Sequence, residues 1–421
     1  MKITIENFGA IKHFVFDTEK DLTLIFGKNS VGKSYGISLV YLILKILATL
    51  PNDTKITDDT LDLLKFTLTV SDIAKNATTE TQTLTDKFLS YLYIHSVTKP
   101  LNNAIKNTFN DLKNISNQFS KEPLKVTIEK KNLSSSFSLD SNQENIILNS
   151  FETNDFFKSF ILEIFSQTEI PSTNDIYYLP ASRSGLYQGL NSFGEIFAEL
   201  SKKRSSLIST QFKIPSLSEP VSDYYLTLSS IKTTDENPDF SEYVNEIEQG
   251  VLQGKVNFDM QSKKIYFTLD NTTLKLDLSA TSSMVSEIAP IILYLKHIVA
   301  ITQIKETKQV PVLFIEEPEA HLHPETQVKL MRVFARLVKD KKIKLVMTSH
   351  SNYIFNAASN LVMDNKIPAD KFEAILFKMT EEGSVAQNMA TDEYGIDDDN
   401  FIDVAESLYE EKIEIINKLN G

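Results

Sequence analysis

Apolar and polar residues alternate over Lys2–Phe8, the period expected of a half-buried strand, and Phe14-Val15-Phe16 predicts a second strand paired across a turn at Gly9-Ala10. The run Leu22-Thr23-Leu24-Ile25-Phe26 predicts a short buried strand. Positions 35–47 are apolar nearly all round at helical length, which predicts a helix packed on more than one side. Further along, 176–180 predicts another buried strand, followed by a turn at Ala181-Ser182-Arg183-Ser184-Gly185. Helices are predicted over 186–208, 223–231 and 240–249, and short strands over 255–260, 264–269 and 273–278. Ser279-Ala280-Thr281-Ser282-Ser283 opens a helix on which Met284, Ile288, Ile291, Ile292, Leu295, Ile298 and Val299 recur at helical spacing. An apolar strand over 310–316 ends in acid, and an amphipathic helix over 325–338 begins at Pro324. A buried strand over 343–347, a helix over 352–362, an edge hairpin of 372–378 with 385–389, an acidic loop and a last helix over 401–419 complete the chain.

Between Pro51 and Asp175 the pattern changes. Glycine disappears, while Asn, Thr, Ser and Lys become abundant. Helices are predicted over 61–70, 83–94, 101–119 and 151–165, with one hairpin of 124–130 and 133–139. No repeat or sustained heptad occurs, which argues against a long coiled coil. The expectation is an α/β protein: a head formed by 1–50 and 175–421, with a β-rich opening, interrupted by an inserted, mainly helical docking region over 51–174.

Composition narrows the class. The 421 residues carry a net charge of −13, which argues against a wholesale nucleic-acid binder and leaves a local basic patch open. Cysteine is absent, so disulfides, thiol nucleophiles and Cys-ligated zinc are excluded. No signal-peptide layout opens the chain. The longest apolar run, 37–50, is interrupted by Ser38 and Lys45 and is too short for a bilayer. A cytoplasmic protein without a membrane partner is expected.

Of only 12 glycines, three (Gly27, Gly32 and Gly36) cluster within one stretch. Gly27-Lys28-Asn29-Ser30-Val31-Gly32-Lys33-Ser34 fits G-x-x-x-x-G-K-[ST] between a predicted strand and helix. Such a loop turns a row of backbone N–H groups onto an anion at the positive end of a helix, where Tyr35 continues the first turn. Lys33 would reach the terminal phosphates and Ser34 would sit on Mg²⁺. Val312-Leu313-Phe314-Ile315-Glu316-Glu317 delivers two carboxylates at the C-terminal edge of a strand, where open α/β sheets bind ligands. Alternation along a strand points adjacent side chains differently, so Glu316 is assigned to the metal and Glu317 to the attacking water. His350, after Thr348-Ser349 on the next strand, is placed to reach a γ-phosphate. His321-Leu322-His323 has metal-like spacing, with Glu319 the nearest further ligand, but is read as a loop that structures a dimer interface. Asp397-x-Asp399 is read as an acidic loop before the last helix, whose first turn favours negative charge.

These residues together resemble the ABC-type ATPases of the branch that holds the SMC, RecF and OLD-like proteins. Ile5 to Ile11 is similar to that branch's opening strand and turn, and Phe26 to Ser34 to its phosphate loop. The segment L-F-I-E-E-P-E-A-H-L-H-P from Leu313 to Pro324 is similar to the extended Walker B and D-loop of OLD-like ATPases, and Val346 to Ser351 to the switch-histidine segment. The resemblance covers 1–50 and 175–390 but not the insertion. It implies two heads that sandwich two ATP molecules, each contacted by one head's phosphate loop and the other's signature loop. The matching position here is Ser279 to Ser286, so Ser282 and Ser283 are the implied contacts, with Met284 near the family's usual glycine. Ser30 stands for a common glycine, Glu316 for the usual aspartate, and Gln188 is the candidate for the Gln that completes the Mg²⁺ shell. OLD nucleases carry a Toprim nuclease domain after the ATPase core; with about 70 residues after His350, none is expected here. The implied function is a slow, Mg²⁺-dependent ATPase that dimerises and senses or gates a separate effector, such as a nuclease, in bacterial anti-phage defence. A RecF-like DNA-binding ATPase of DNA repair or maintenance is the alternative.

Overall fold

The computed structural model describes residues 1–49, 97–109, 115–130, 133–140, 142, 144–153, 175–189, 217–232, 235–300, 302–304, 307–392, 394–397 and 402–420. In chain order come β1 (Lys2–Phe8), β2 (Ile11–Asp17), β3 (Leu22–Gly27) and α1 (Lys33–Thr49), then α2 (Lys99–Phe109), β4 (Lys125–Lys130), β5 (Leu133–Leu139) and β6 (Ile146–Thr153). After β7 (Ile176–Leu179), a helical turn over 183–189 leads to α3 (Glu219–Ser229), α4 (Ser241–Ile247), β8 (Gly254–Asp259), β9 (Lys264–Leu269) and β10 (Lys275–Asp277). Then follow α5 (Ser283–Leu293), β11 (Thr302–Ile304), β12 (Thr307–Gln309), β13 (Val312–Glu316), α6 (Pro324–Lys339), β14 (Lys344–Thr348) and α7 (Asn352–Met363). Strands β15 (Phe372–Thr380), β16 (Gly383–Asn388), β17 (Thr391–Asp392) and β18 (Gly395–Ile396) precede α8 (Ile402–Asn420).

An 11-stranded sheet organises the molecule, in the order β6-β5-β4-β1-β2-β16-β15-β3-β14-β13-β7. The run β15-β3-β14-β13-β7 is parallel throughout, so the C-terminal ends of β3, β13 and β14 emerge at one edge. The strands β1, β2, β4, β5 and β6 continue the sheet with antiparallel pairing. The parallel strands β3, β13 and β14 are buried on both faces, and their side chains split between two layers. Leu22, Leu24, Phe26, Leu313 and Ile315 pack with α5, α6 and α7, whereas Ile25, Phe314 and Val346 pack with α1. This explains why these strands read as continuous apolar runs rather than alternating ones. It also explains α1: Ile37, Leu39, Val40, Leu42 and Ile43 are all buried, because the helix has neighbours on more than one side.

Three expectations need correction. The hairpin β15–β16 is interior, not an edge: β15 pairs with β3 and β16 with β2, both parallel. Its strands link the antiparallel and parallel parts of the sheet, and the six residues from Phe372 to Phe377 are all buried. Second, β4 pairs with β1, and a third strand, β6, extends the predicted hairpin where 151–165 was expected to begin a helix. Strands β4, β5 and β6 are thus part of the head's sheet, with β4 covering the free edge of β1. Third, the helix predicted over 101–119 ends at Phe109; Ser116 instead makes a bridge to Phe8. The helices predicted over 61–70 and 83–94, and most of those over 151–165 and 186–208, lie outside the described residues.

Candidate functional site

The loop after β3 has a backbone that only certain residues adopt. Gly27 has φ 142° and Gly32 φ 96°, conformations that side chains rarely accept. A Cβ on Gly27 would also stand 2.7 Å from the Phe377 carbonyl oxygen, and one on Gly32 would stand 2.8 Å from Ile11 Cγ1. Ser30 is left-handed at φ 64°, so the serine occupies a conformation in which glycine costs less. Val31 is buried and its carbonyl accepts a hydrogen bond from Ser384 Oγ, tying the loop to β16. Lys28, Asn29 and Ser30 are exposed, as are Ser34 and Tyr35 on the first turn of α1. Tyr35 packs against Phe8 and Phe109, at centroid distances of 5.7 and 5.0 Å.

Lys33 is buried, and its Nζ donates to the carbonyls of Gly27 and Lys28, both at 2.9 Å. Burial pushes its pKa down to about 8, against the opposing pull of Glu317, Glu319 and Glu316. Lys33 thus donates to its own loop while it lies in the field of three carboxylates.

Glu316 ends β13, beside Thr348 of β14 in register, and is buried. Tyr178 Oη donates to its Oε1 at 2.7 Å, Ser38 of α1 lies 3.0 Å from that phenol, and the Ser34 hydroxyl also bonds the carboxylate. Burial raises the Glu316 carboxyl above its usual range; Ser34 and Tyr178 oppose that rise. Glu317, the next residue, is left-handed at φ 41°, with its N–H directed to the Thr348 carbonyl at 3.1 Å. The strand therefore breaks between the two carboxylates and sends them to different places. His350 Nε2 stands 3.5 Å from Glu317 Oε1. Burial, with Lys33 nearby, lowers the pKa of His350 despite Glu317.

Residues to which the sequence pattern gave no part in the phosphate site lie around it. Glu319 is buried, and its Oε1 accepts from Ser349 Oγ at 2.8 Å and from His350 N at 2.7 Å; its Oε2 has no hydrogen-bond partner among the described residues. Arg183 is fully buried. It donates from Nη1 to the carbonyls of Pro180 and Glu316, at 2.8 and 2.7 Å, and from Nη2 to that of Glu317, at 3.1 Å. Its guanidinium also pairs with the buried Glu287 of α5 at 3.3 Å. An arginine just beyond a buried strand was a visible signal, but apart from Pro180 its partners lie more than 100 positions away. Tyr178 could be recognised only once β7 was known to pair with β13, placing it beside Phe314.

The other expected residues lie as follows. Ser282 is the N-cap of α5, accepting from Val285 N, and Ser283 begins that helix, both exposed at its N-terminus. Gln188 is exposed on the turn over 183–189. His323 caps α6 without a side-chain bond, and His321 is exposed at φ 62°. Asp397 directly follows β18 and is exposed, and Asp399 lies outside the described residues. Among the described residues no group of three or more His, Cys, Asp or Glu is gathered for a metal ion. Ser34 and Glu316 do supply two hard oxygen donors in mutual contact. That suits Mg²⁺, which keeps few protein ligands and shares the phosphates of its nucleotide.

The family model described as AAA ATPase domain matches residues 1–355, and the chain belongs to that family. The phosphate loop and the carboxylate-ended strand are thus parts of a P-loop ATPase with a mixed α/β head. Three solved structures are similar at low identity. The SMC head domain from Thermotoga maritima is 11% identical, with TM-score 0.38, over 92% of this chain and 98% of that one. An SmcHead bound to the C-winged helix domain of ScpA is 12% identical, with TM-score 0.41, over 92% and 97%. An Smc head domain with an extended coiled coil bound to the C-terminal domain of ScpA, derived from Pyrococcus furiosus, is 13% identical, with TM-score 0.38, over 100% and 99%. No curated protein matches the chain. Among the described residues no helix is long and apolar enough to cross a membrane.

Proposed function

We propose that the chain is an ATP-hydrolysing head of the OLD-like kind, which closes on a second copy of itself around nucleotide and gates a separate effector. The observation that carries the chemistry is the convergence of Lys33, Glu316, Glu317 and His350, from three adjacent parallel strands and their loops, on one edge of the sheet. On binding ATP, Lys33 exchanges the carbonyls of Gly27 and Lys28 for the β- and γ-phosphates, while the loop's N–H groups receive the anion. Ser34 and Glu316, with Gln188 as the further candidate, would hold Mg²⁺, which supplies charge neutralisation at the phosphates. Glu317 orients and deprotonates the attacking water, and His350 holds Glu317 and contacts the γ-phosphate.

The exposed serines 282 and 283 at the N-terminus of α5 are suited to the γ-phosphate of the facing head, since a helix N-terminus favours negative charge. This arrangement leaves an isolated head incomplete, so hydrolysis is slow and requires the dimer. The acids described are committed to this site or scattered, so the output requires a second polypeptide; an anti-phage role fits such a division of labour. A net charge of −13 favours a protein effector over direct DNA binding. The test is turnover of ATP with and without Mg²⁺, together with light scattering of Glu317→Gln. The expected result is Mg²⁺-dependent hydrolysis in the parent, and a doubled mass for the variant only with ATP. No hydrolysis at any protein concentration, or one unchanged mass, would overturn the corresponding half of the proposal.

A further inference from the structure

The helix that carries Ser282 and Ser283 is joined to the hydrolytic edge by one buried pair. Glu287 lies one turn into α5. Its carboxylate accepts from Arg183 N at 3.1 Å, Ser184 N at 3.2 Å and Ser184 Oγ at 2.7 Å, and pairs with Arg183 Nη2 at 3.3 Å. Its own carbonyl accepts from Arg183 Nε at 3.0 Å. The same guanidinium donates to the carbonyls of Glu316 and Glu317. Both side chains are 1% exposed or less.

Three consequences follow from this geometry. The carbonyls of Glu316 and Glu317 belong to the turn that separates the two carboxylates, and Glu317 holds φ 41° there. A non-glycine residue in that conformation persists only when its surroundings over-determine it. Here Thr348 holds its N–H and Arg183 holds its carbonyl. Second, a guanidinium is planar and presents its donors in a rigid fork, so α5 cannot shift along its axis without moving either the fork or the turn. Third, the pair is buried and fully bonded, so removing one partner leaves a buried charge rather than a solvated one.

We propose that Arg183 and Glu287 are a positioning pair that couples the N-terminus of α5 to the Glu316–Glu317 turn. Anion contact at Ser282–Ser283 then sets the aim of Glu317 within the same head. The pair touches no reacting atom; it acts through the peptide that aims Glu317. The inference rests on the assignment of Glu317 to the attacking water, given above.

The experiment uses the full chain, with Arg183→Lys, Glu287→Gln and Glu317→Gln singly and each of the first two combined with Glu317→Gln. ATP affinity, KM, kcat and thermal unfolding are measured for each. The expected result for Arg183→Lys and Glu287→Gln is ATP affinity and KM within threefold of the parent, with kcat lowered at least tenfold. In the Glu317→Gln background the same changes should lower kcat less than twofold further, because the group they aim is already gone. If Arg183→Lys does not unfold cooperatively, Glu287→Gln carries the test, since it keeps the size and one acceptor oxygen of the side chain. A folded variant with kcat within twofold of the parent overturns the coupling, as does a full tenfold loss added to Glu317→Gln. An unchanged kcat in Glu317→Gln alone overturns the assignment of Glu317 itself, and this inference with it.

Discussion

His350 Nε2 and Glu317 Oε1 face each other at 3.5 Å, across the ends of two strands that pair in register at Thr348 and Glu316. The ring has a lowered pKa, so it is neutral at pH 7 and protonates only below the ordinary histidine value of 6.5. Turnover at saturating ATP is expected to be level above pH 7 and to fall as the pH drops below about 6.5. His350→Gln should lower kcat about 10²-fold and remove that acid limb. The folded state binds fewer protons at this site than the unfolded one, so this group also makes stability decline over the same acid window. A pH–rate profile of both proteins checks the point, and an unchanged acid limb in His350→Gln would count against the role given to this ring.

Lys33, also lowered by burial, acts at the alkaline end of the pH range. Its pKa of about 8 lies below the usual 10.5, so raising the pH through 8 discharges it in the free protein. ATP affinity should therefore be constant from pH 6.5 to 7.5 and weaken by up to about tenfold per pH unit above 8. Stability behaves conversely: the cost of the buried charge is present below pH 8 and is relieved between 8 and 10.5. Lys33→Ala should abolish detectable binding. Titration calorimetry across pH decides the matter, because tight binding by Lys33→Ala is incompatible with this site.

Tyr178 donates to the buried Glu316 carboxylate. Tyr178→Phe removes that donor at a cost of about 1–3 kcal/mol to the ionised form. The Mg²⁺ concentration for half-maximal turnover should rise about tenfold or more, while ATP affinity without metal changes little. A Mg²⁺ titration of turnover in parent and variant reads this directly; coincident curves would remove Tyr178 from the metal side of the site.

Gly27→Ala combines φ 142° with a Cβ 2.7 Å from the Phe377 carbonyl. The conformational cost is about 1–3 kcal/mol, and the clash must move either the loop or β15. ATP binding should be lost, with a lower melting temperature. Gly185→Ala serves as the control, since nothing lies within 4 Å of its added Cβ. Equal ATP affinity in both variants would show that the loop tolerates a side chain where the backbone says it cannot.

The phosphate loop, the carboxylate-ended strand β13, the switch segment after β14 and the helices α1, α5, α6 and α7 were all legible from the chain alone. Their signals are local: G-x-x-x-x-G-K-S specifies its own backbone, apolar runs specify buried strands, and 3.6-residue spacing specifies helices. What the chain could not declare is which strands are neighbours. β15–β16 looks like an edge hairpin because pairing partners leave no mark on a doubly buried strand, yet it lies between β2 and β3. The same holds for β4–β5, whose alternation reads as a hairpin in an insertion until β1 offers it an edge. Tyr178 bonds Glu316, and Arg183 bonds Glu287 and two strand-end carbonyls, across separations of 104 to 138 positions. Those contacts exist only because the sheet order sets β7 against β13, and burial then obliges each polar group to find a partner within reach.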